Sequence, residues 1–142
     1  MKKLHPLILL LFFSLIHFTI AAQNFRKETA WFIAEVKPGT YKAGTKGFIE
    51  ISVVAKDGCY IDMSHPFKFE TSTPAPAGVV YPNPILEKKD WLIESKKAVV
   101  KIPFVKSKAG HFVFSGVVSA YVFRFTNHIA DDFLVTQPVN VK

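Results

Sequence analysis

Between residues 30 and 141, apolar side chains recur at every second position, and proline or glycine interrupts them roughly every 8 to 15 residues. That spacing constrains the fold more than any other feature. A strand sends successive side chains to opposite faces, so period two marks an extended segment with one buried face. The pattern is plainest from Phe48 on, where Ile49, Ile51 and Val53 share a face opposite Glu50 and Ser52. It returns in Lys97 to Lys106, with Ala98, Val100, Ile102 and Phe104 inward. Further strands are predicted over Ala30 to Lys37, His111 to Phe125 and Phe133 to Val141. Shorter extended pieces are expected at Cys59 to Asp62 and around Phe67 and Phe69. The breaks carry turn chemistry: Pro38-Gly39, Asp57-Gly58, the proline-rich run from Thr73 to Gly78, Tyr81 to Pro84, and Lys108 to Gly110. No stretch of residues 23–142 shows helical three-four spacing. The expected fold is an all-β, immunoglobulin-like sandwich in one domain. Proline has no N–H for a ladder, so Pro103 and Pro138 are expected on edge strands or at bulges. Residues 23–29 read as a loose leader.

The first 22 residues read differently. Lys2 and Lys3 precede an uncharged apolar run from Leu7 to Ile20, and Ala21-Ala22 follow. A basic start, a short apolar core and small residues form a secretory signal peptide. The run is too short for a membrane span of about 20 residues. Cleavage near Ala22 leaves 120 residues and lowers the formal charge from +7 to +5. The protein is therefore expected in the periplasm or secreted, touching membrane only through the signal before cleavage. The basic residues are scattered singly or in pairs such as Lys88-Lys89, without the concentrated stripe that nucleic-acid binding needs.

The search for chemistry returns little. With one cysteine the chain holds no internal disulfide and no paired-cysteine metal site. No nucleophile elbow, phosphate loop or dinucleotide fingerprint is present. His65, His111 and His128 each offer a base, but none stands beside a nucleophile motif. Cys59, alone in an exported chain, reads as a core residue or as a reactive thiol. The run Cys59 to Pro66 holds Cys, Met and His donors that suit copper. In a regular strand Cys59, Ile61, Met63 and His65 would share one face and Tyr60 and Asp62 the other. The apolar Ile61 in that set argues for core, so no metal or other cofactor is expected. In the long strand Phe112, Phe114, Val118, Ala120 and Val122 suit the core, which turns Tyr121, Phe123 and Phe125 outward. Either the proline-rich loop covers those aromatics, they form a contact patch, or a bulge at Gly116 swaps the faces.

The run Gly58-Cys59-Tyr60-Ile61-Asp62-Met63-Ser64-His65-Pro66, then Phe67-Lys68-Phe69 and the stretch to Gly78-Val79-Val80-Tyr81-Pro82, resembles the N-terminal periplasmic domain of the thiol:disulfide interchange protein DsbD. Val36 to Gly39, the Phe48 strand and the late strands fit the same domain. The resemblance spans most of residues 30–141 and implies an immunoglobulin-like sandwich in the bacterial periplasm. The family exchanges disulfides through two cysteines under an aromatic cap. The matching stretch here, Tyr121 to Phe133, has none. A relay needs two thiols, so the family's redox residues do not carry over. The expected role is an exported, non-catalytic module that binds a protein partner. Its expected contact residues are Tyr60, His65, Phe67, Tyr81, Tyr121, Phe123 and Phe125. Two alternatives are a single-cysteine participant in thiol exchange through Cys59 and a copper carrier using Met63 and His65.

Overall fold

The computed structural model describes residues 23–142. The expected signal peptide, residues 1–22, lies outside the described residues. Eleven strands follow in order among them: β1 (Arg26–Glu28), β2 (Phe32–Val36), β3 (Lys46–Ala55), β4 (Tyr60–Ile61), β5 (Lys68–Thr71), β6 (Val79–Val80), β7 (Ile85–Glu87), β8 (Trp91–Ile93), β9 (Lys97–Lys106), β10 (Gly110–Arg124) and β11 (Asn127–Val141). One 3-10 turn, Lys88–Asp90, joins β7 to β8.

The strands form two antiparallel sheets. The first runs β1-β2-β3-β9-β6, with β8 also on β9; the second runs β11-β10-β5-β7, with β4 on the far end of β10. One apolar core lies between them. Aromatic pairs cross it: Phe32 of β2 meets Phe133 of β11 at 5.7 Å, and Phe104 of β9 meets Phe112 of β10 at 5.4 Å between ring centroids. Burying each such side chain contributes about 1.5–3 kcal/mol. The fold is thus an all-β sandwich.

The period-two reading gets the long strands right in kind and face. In β10 the even positions from Phe112 to Val122 are buried, and Tyr121 and Phe123 face the other way. The β10–β11 register runs unbroken from Gly110↔Val141 to Arg124↔Asn127, so Gly116 is no bulge. Gly116 instead admits the Phe69 ring, which stacks on Phe114 at 5.6 Å.

Three expectations need correction. Residues 26–28 form a strand rather than a loose leader. Their pairing with β2 is carried by backbone bonds, with Phe25 packed on Phe133 and Lys27 paired to Asp131 at 2.9 Å. So short a polar strand carries no periodicity to read. Pro103 lies on β9, an inner strand. It is tolerated because β9 changes partner there, from β8 at Ala98–Val100 to β6 at Val105–Lys106, leaving Pro103 paired with β3 alone. Pro138 does sit on the outer strand β11. Finally, alternation stops at Ile61: Asp62 is buried, and the chain turns through 62–65.

Candidate functional site

That turn builds the site. Asp62 Oδ1 accepts the Ser64 N–H at 3.1 Å and the Ser64 hydroxyl at 2.5 Å. An aspartate that bonds backbone two residues on reverses the chain locally. The His65 N–H then reaches Asp62 O at 3.3 Å, closing the turn. The reversal carries His65 back over the Asp62 carboxylate, with Nδ1 2.8 Å from Oδ2. From the other side β11 brings His128, whose Nδ1 lies 2.6 Å from the same oxygen. The pairing of β4 with the end of β10 holds these pieces in register, Phe123 opposite Tyr60 and His128.

The carboxylate is 5% exposed, while the imidazoles are 45% and 56% exposed. Burial alone pushes the Asp62 carboxyl up. The bonds from Ser64, His128 and His65 outweigh it and hold the group well below the usual carboxylate range. The site is thus a fixed negative charge under two half-open imidazole rings.

Aromatic rings fix those imidazoles. His65 stacks on Tyr121 at 5.1 Å, and His128 stacks on Phe123 at 5.7 Å. Tyr60 stacks on Phe123 from the other side at 5.5 Å, and Lys96 Nζ sits 3.9 Å over the Tyr60 ring. Past this row the β10–β11 hairpin ends in Phe125, 82% exposed with φ at 55°. A positive φ at a hairpin tip suits glycine or asparagine, and an aromatic there is strained. Beside the row opens a groove of about 440 Å³ lined by residues 66–68, Glu87, Lys88, Lys89, Ser119 and Tyr121.

The predicted contact residues divide. Tyr60, His65, Tyr121 and Phe123 come together in one stacked row, and Phe125 stands beyond it at the exposed hairpin tip. Phe67 is fully buried, edge-on to Trp91 and Tyr121, so it forms the floor of the groove and supports the surface from below. Tyr81 lies elsewhere, against Phe114, with its ring half-buried and its hydroxyl enclosed without a protein partner. The proline-rich loop therefore covers none of the outward aromatics on β10; His65, Tyr60 and His128 do that. Cys59 is 1% exposed and packed in the core, opposite in direction to Tyr60. A reactive thiol at the surface is not what this placement offers. Met63 points to solvent while Cys59 points to the core, so the shared Cys59/Met63/His65 face expected of a regular strand does not form.

Two residues of the cluster escaped the sequence reading. A regular strand places Asp62 opposite His65, and in the sequence His128 stands as an isolated base. The available signal was Asp62-Met63-Ser64, a spacing that favours a side-chain-capped turn over continued strand. Nothing local ties His128 to residues 66 positions earlier. No protein-family model matches the chain, and no curated protein matches it either.

Proposed function

We propose that the chain is an exported, non-catalytic protein-binding module. In this reading it is an immunoglobulin-like sandwich related to the N-terminal domain of the thiol:disulfide interchange family, acting without that family's cysteine pair. The observation that carries the reading is Phe125: an aromatic 82% exposed, at a strained φ, on the tip of the longest hairpin. Strain in a backbone persists where the surrounding structure enforces it, and such positions cluster at binding sites. The row Phe123–Tyr60 continues this apolar surface, Lys96 and Arg124 lie over its rings, and Lys68, Lys88 and Lys89 line the groove beside Tyr121. A partner that fits presents apolar side chains within an acidic surface. Aromatic and arginine anchors of this kind dominate protein interfaces, and the surrounding charge speeds encounter. The buried Cys59 gives no support to the thiol-exchange alternative.

The test places a photo-crosslinking residue at position 60, within the row, and at position 92 on the other sheet, where Leu92 is 67% exposed. Both are expressed in an exporting cell. The expected result is a defined adduct from position 60 and none from 92. That adduct falls several-fold in Phe125→Gly, a change that relieves the backbone and leaves the fold intact. Equal adducts from both positions overturn the reading, as does an adduct that survives both Phe125→Gly and Phe123→Asp.

A further inference from the structure

The Asp62, His65 and His128 donor atoms lie within 4.8 Å of one another. Both imidazoles aim the same nitrogen, Nδ1, at the same oxygen, Oδ2. A carboxylate offers about four acceptor sites, and both Ser64 bonds fall on Oδ1, which leaves Oδ2 to the two histidines. Here two half-exposed rings converge on it, and stacking on Tyr121 and Phe123 fixes both ring planes. We propose that these three side chains bind a single divalent transition-metal ion of borderline character, Zn²⁺ or Cu²⁺, through two imidazole nitrogens and one carboxylate oxygen.

The chemistry of the set selects that class. Imidazole suits zinc, copper and nickel, whereas calcium and magnesium take oxygen-rich shells. Three protein ligands leave a fourth position for water, the pattern of open zinc sites. The exposure of both histidines, 45% and 56%, gives the ion an entry path from solvent. The Ser64 bonds to Oδ1 act as a second shell that turns Oδ2 toward the ion. Around an ion with bonds of about 2.0–2.1 Å, tetrahedral donors stand about 3.3 Å apart. The present Nδ1–Oδ2 separations of 2.6 and 2.8 Å are hydrogen-bonded contacts that the ion opens by about 0.5–0.7 Å. Each ring makes that movement by sliding within its stacked plane, since neither is enclosed. Proton balance is simple: a neutral imidazole that bonds the ion through Nδ1 carries its proton on Nε2 instead, exchanged through water. No redox step is involved.

This differs from the Met63/His65 copper alternative, since Met63 contributes nothing and Asp62 and His128 supply two of three ligands. It is also independent of the protein-binding reading, whose test uses no metal. The ion would tie the turn after β4 to the β10–β11 hairpin, and binding of the native state alone raises the melting temperature.

The experiment titrates Zn²⁺, and separately Cu²⁺, into chelator-stripped, tag-free protein of residues 23–142. Affinity is read by calorimetry, and the ligating nitrogens are read by the nitrogen-15 shifts of the histidine rings. The expected result is one equivalent bound at micromolar or tighter affinity, tighter for Cu²⁺ by its place in the affinity order. The His65 and His128 Nδ1 signals move and those of His111 do not. His128→Gln, an exposed change that keeps the fold by circular dichroism, weakens binding at least tenfold, while His111→Gln leaves it unchanged. Failure of both ions to bind below about 100 µM overturns the proposal. So does binding that His128→Gln leaves intact, or ligation that appears at His111 instead.

Discussion

Replacing Asp62 by Asn tests whether the buried charge organises the site. The side chain keeps its size and one oxygen for the Ser64 N–H and hydroxyl. It loses the negative charge and turns an amide NH₂ toward His65 and His128. Asp62 accepts four bonds in the native protein, from Ser64 N–H, Ser64 Oγ and the two Nδ1 atoms. A bond to a charged group contributes about 1.5–3 kcal/mol and a neutral one about 0.5–1.5. The imidazoles are half-exposed and recover part of their loss from water, which discounts their share. The net cost is about 2 kcal/mol at pH 7, a fall in melting temperature of about 8 °C for a domain of this size. The pH dependence separates loss of charge from simple misfit. Opposed by burial but dominated by the bonds from Ser64, His128 and His65, the folded carboxyl titrates well below its ordinary value. In the unfolded chain it titrates near 4. A depressed folded value means the stability is fully present above that unfolded value. It is lost as pH falls below about 4, at up to about 1.4 kcal/mol per pH unit. The Asn variant has no such group, so the gap between the two proteins narrows to about 1 kcal/mol at pH 3. Urea unfolding followed by tryptophan fluorescence, with chelator present, measures both gaps. Equal stability at pH 7, or a gap that stays constant down to pH 3, refutes the reasoning.

Three further outcomes are expected. Gly116→Ala places a methyl against the Phe69 ring and 2.7 Å from the Glu70 carbonyl oxygen. The backbone of the paired strand cannot yield as a side-chain tip would, so a thermal melt should show a loss of about 2–3 kcal/mol. Tyr81→Phe removes a buried hydroxyl without a protein partner. Stability at pH 7 should hold or rise by up to about 1 kcal/mol. Burial pushes the Tyr81 phenol up to about 12, so the wild type should lose stability as pH rises from about 10 toward 12 more steeply than the variant. Cys59, 1% exposed, should resist a thiol reagent in native buffer and react fully in denaturant, by mass spectrometry.

The aromatic row shows how the chain divides its information. Phe123 and Tyr121 are legible as outward from parity alone, because every residue of a regular strand inherits its face from its neighbours. Phe67 is not legible. It belongs to a short segment just after Pro66, where the alternation has been broken by the turn at 62–65, and only its contacts with Trp91 and Tyr121 show it to be buried. Tyr81 reads as a site residue only so long as the loop around it is free to be placed anywhere; packing on Phe114 takes it to another part of the sheet.

Local pattern alone determined that this chain is a β protein, where its long strands run, and which face of β3, β9 and β10 is buried. Those properties follow from the period of the backbone, which acts over two residues. The tertiary structure alone decided that Asp62, His65 and His128 meet. His65 reaches Asp62 only because a side-chain-capped turn stops a strand, and His128 only because a fifteen-residue hairpin arm folds back along β10. Contacts between residues 66 positions apart depend on register and on which strands share a sheet. Neither is encoded in the spacing of apolar residues along any one strand.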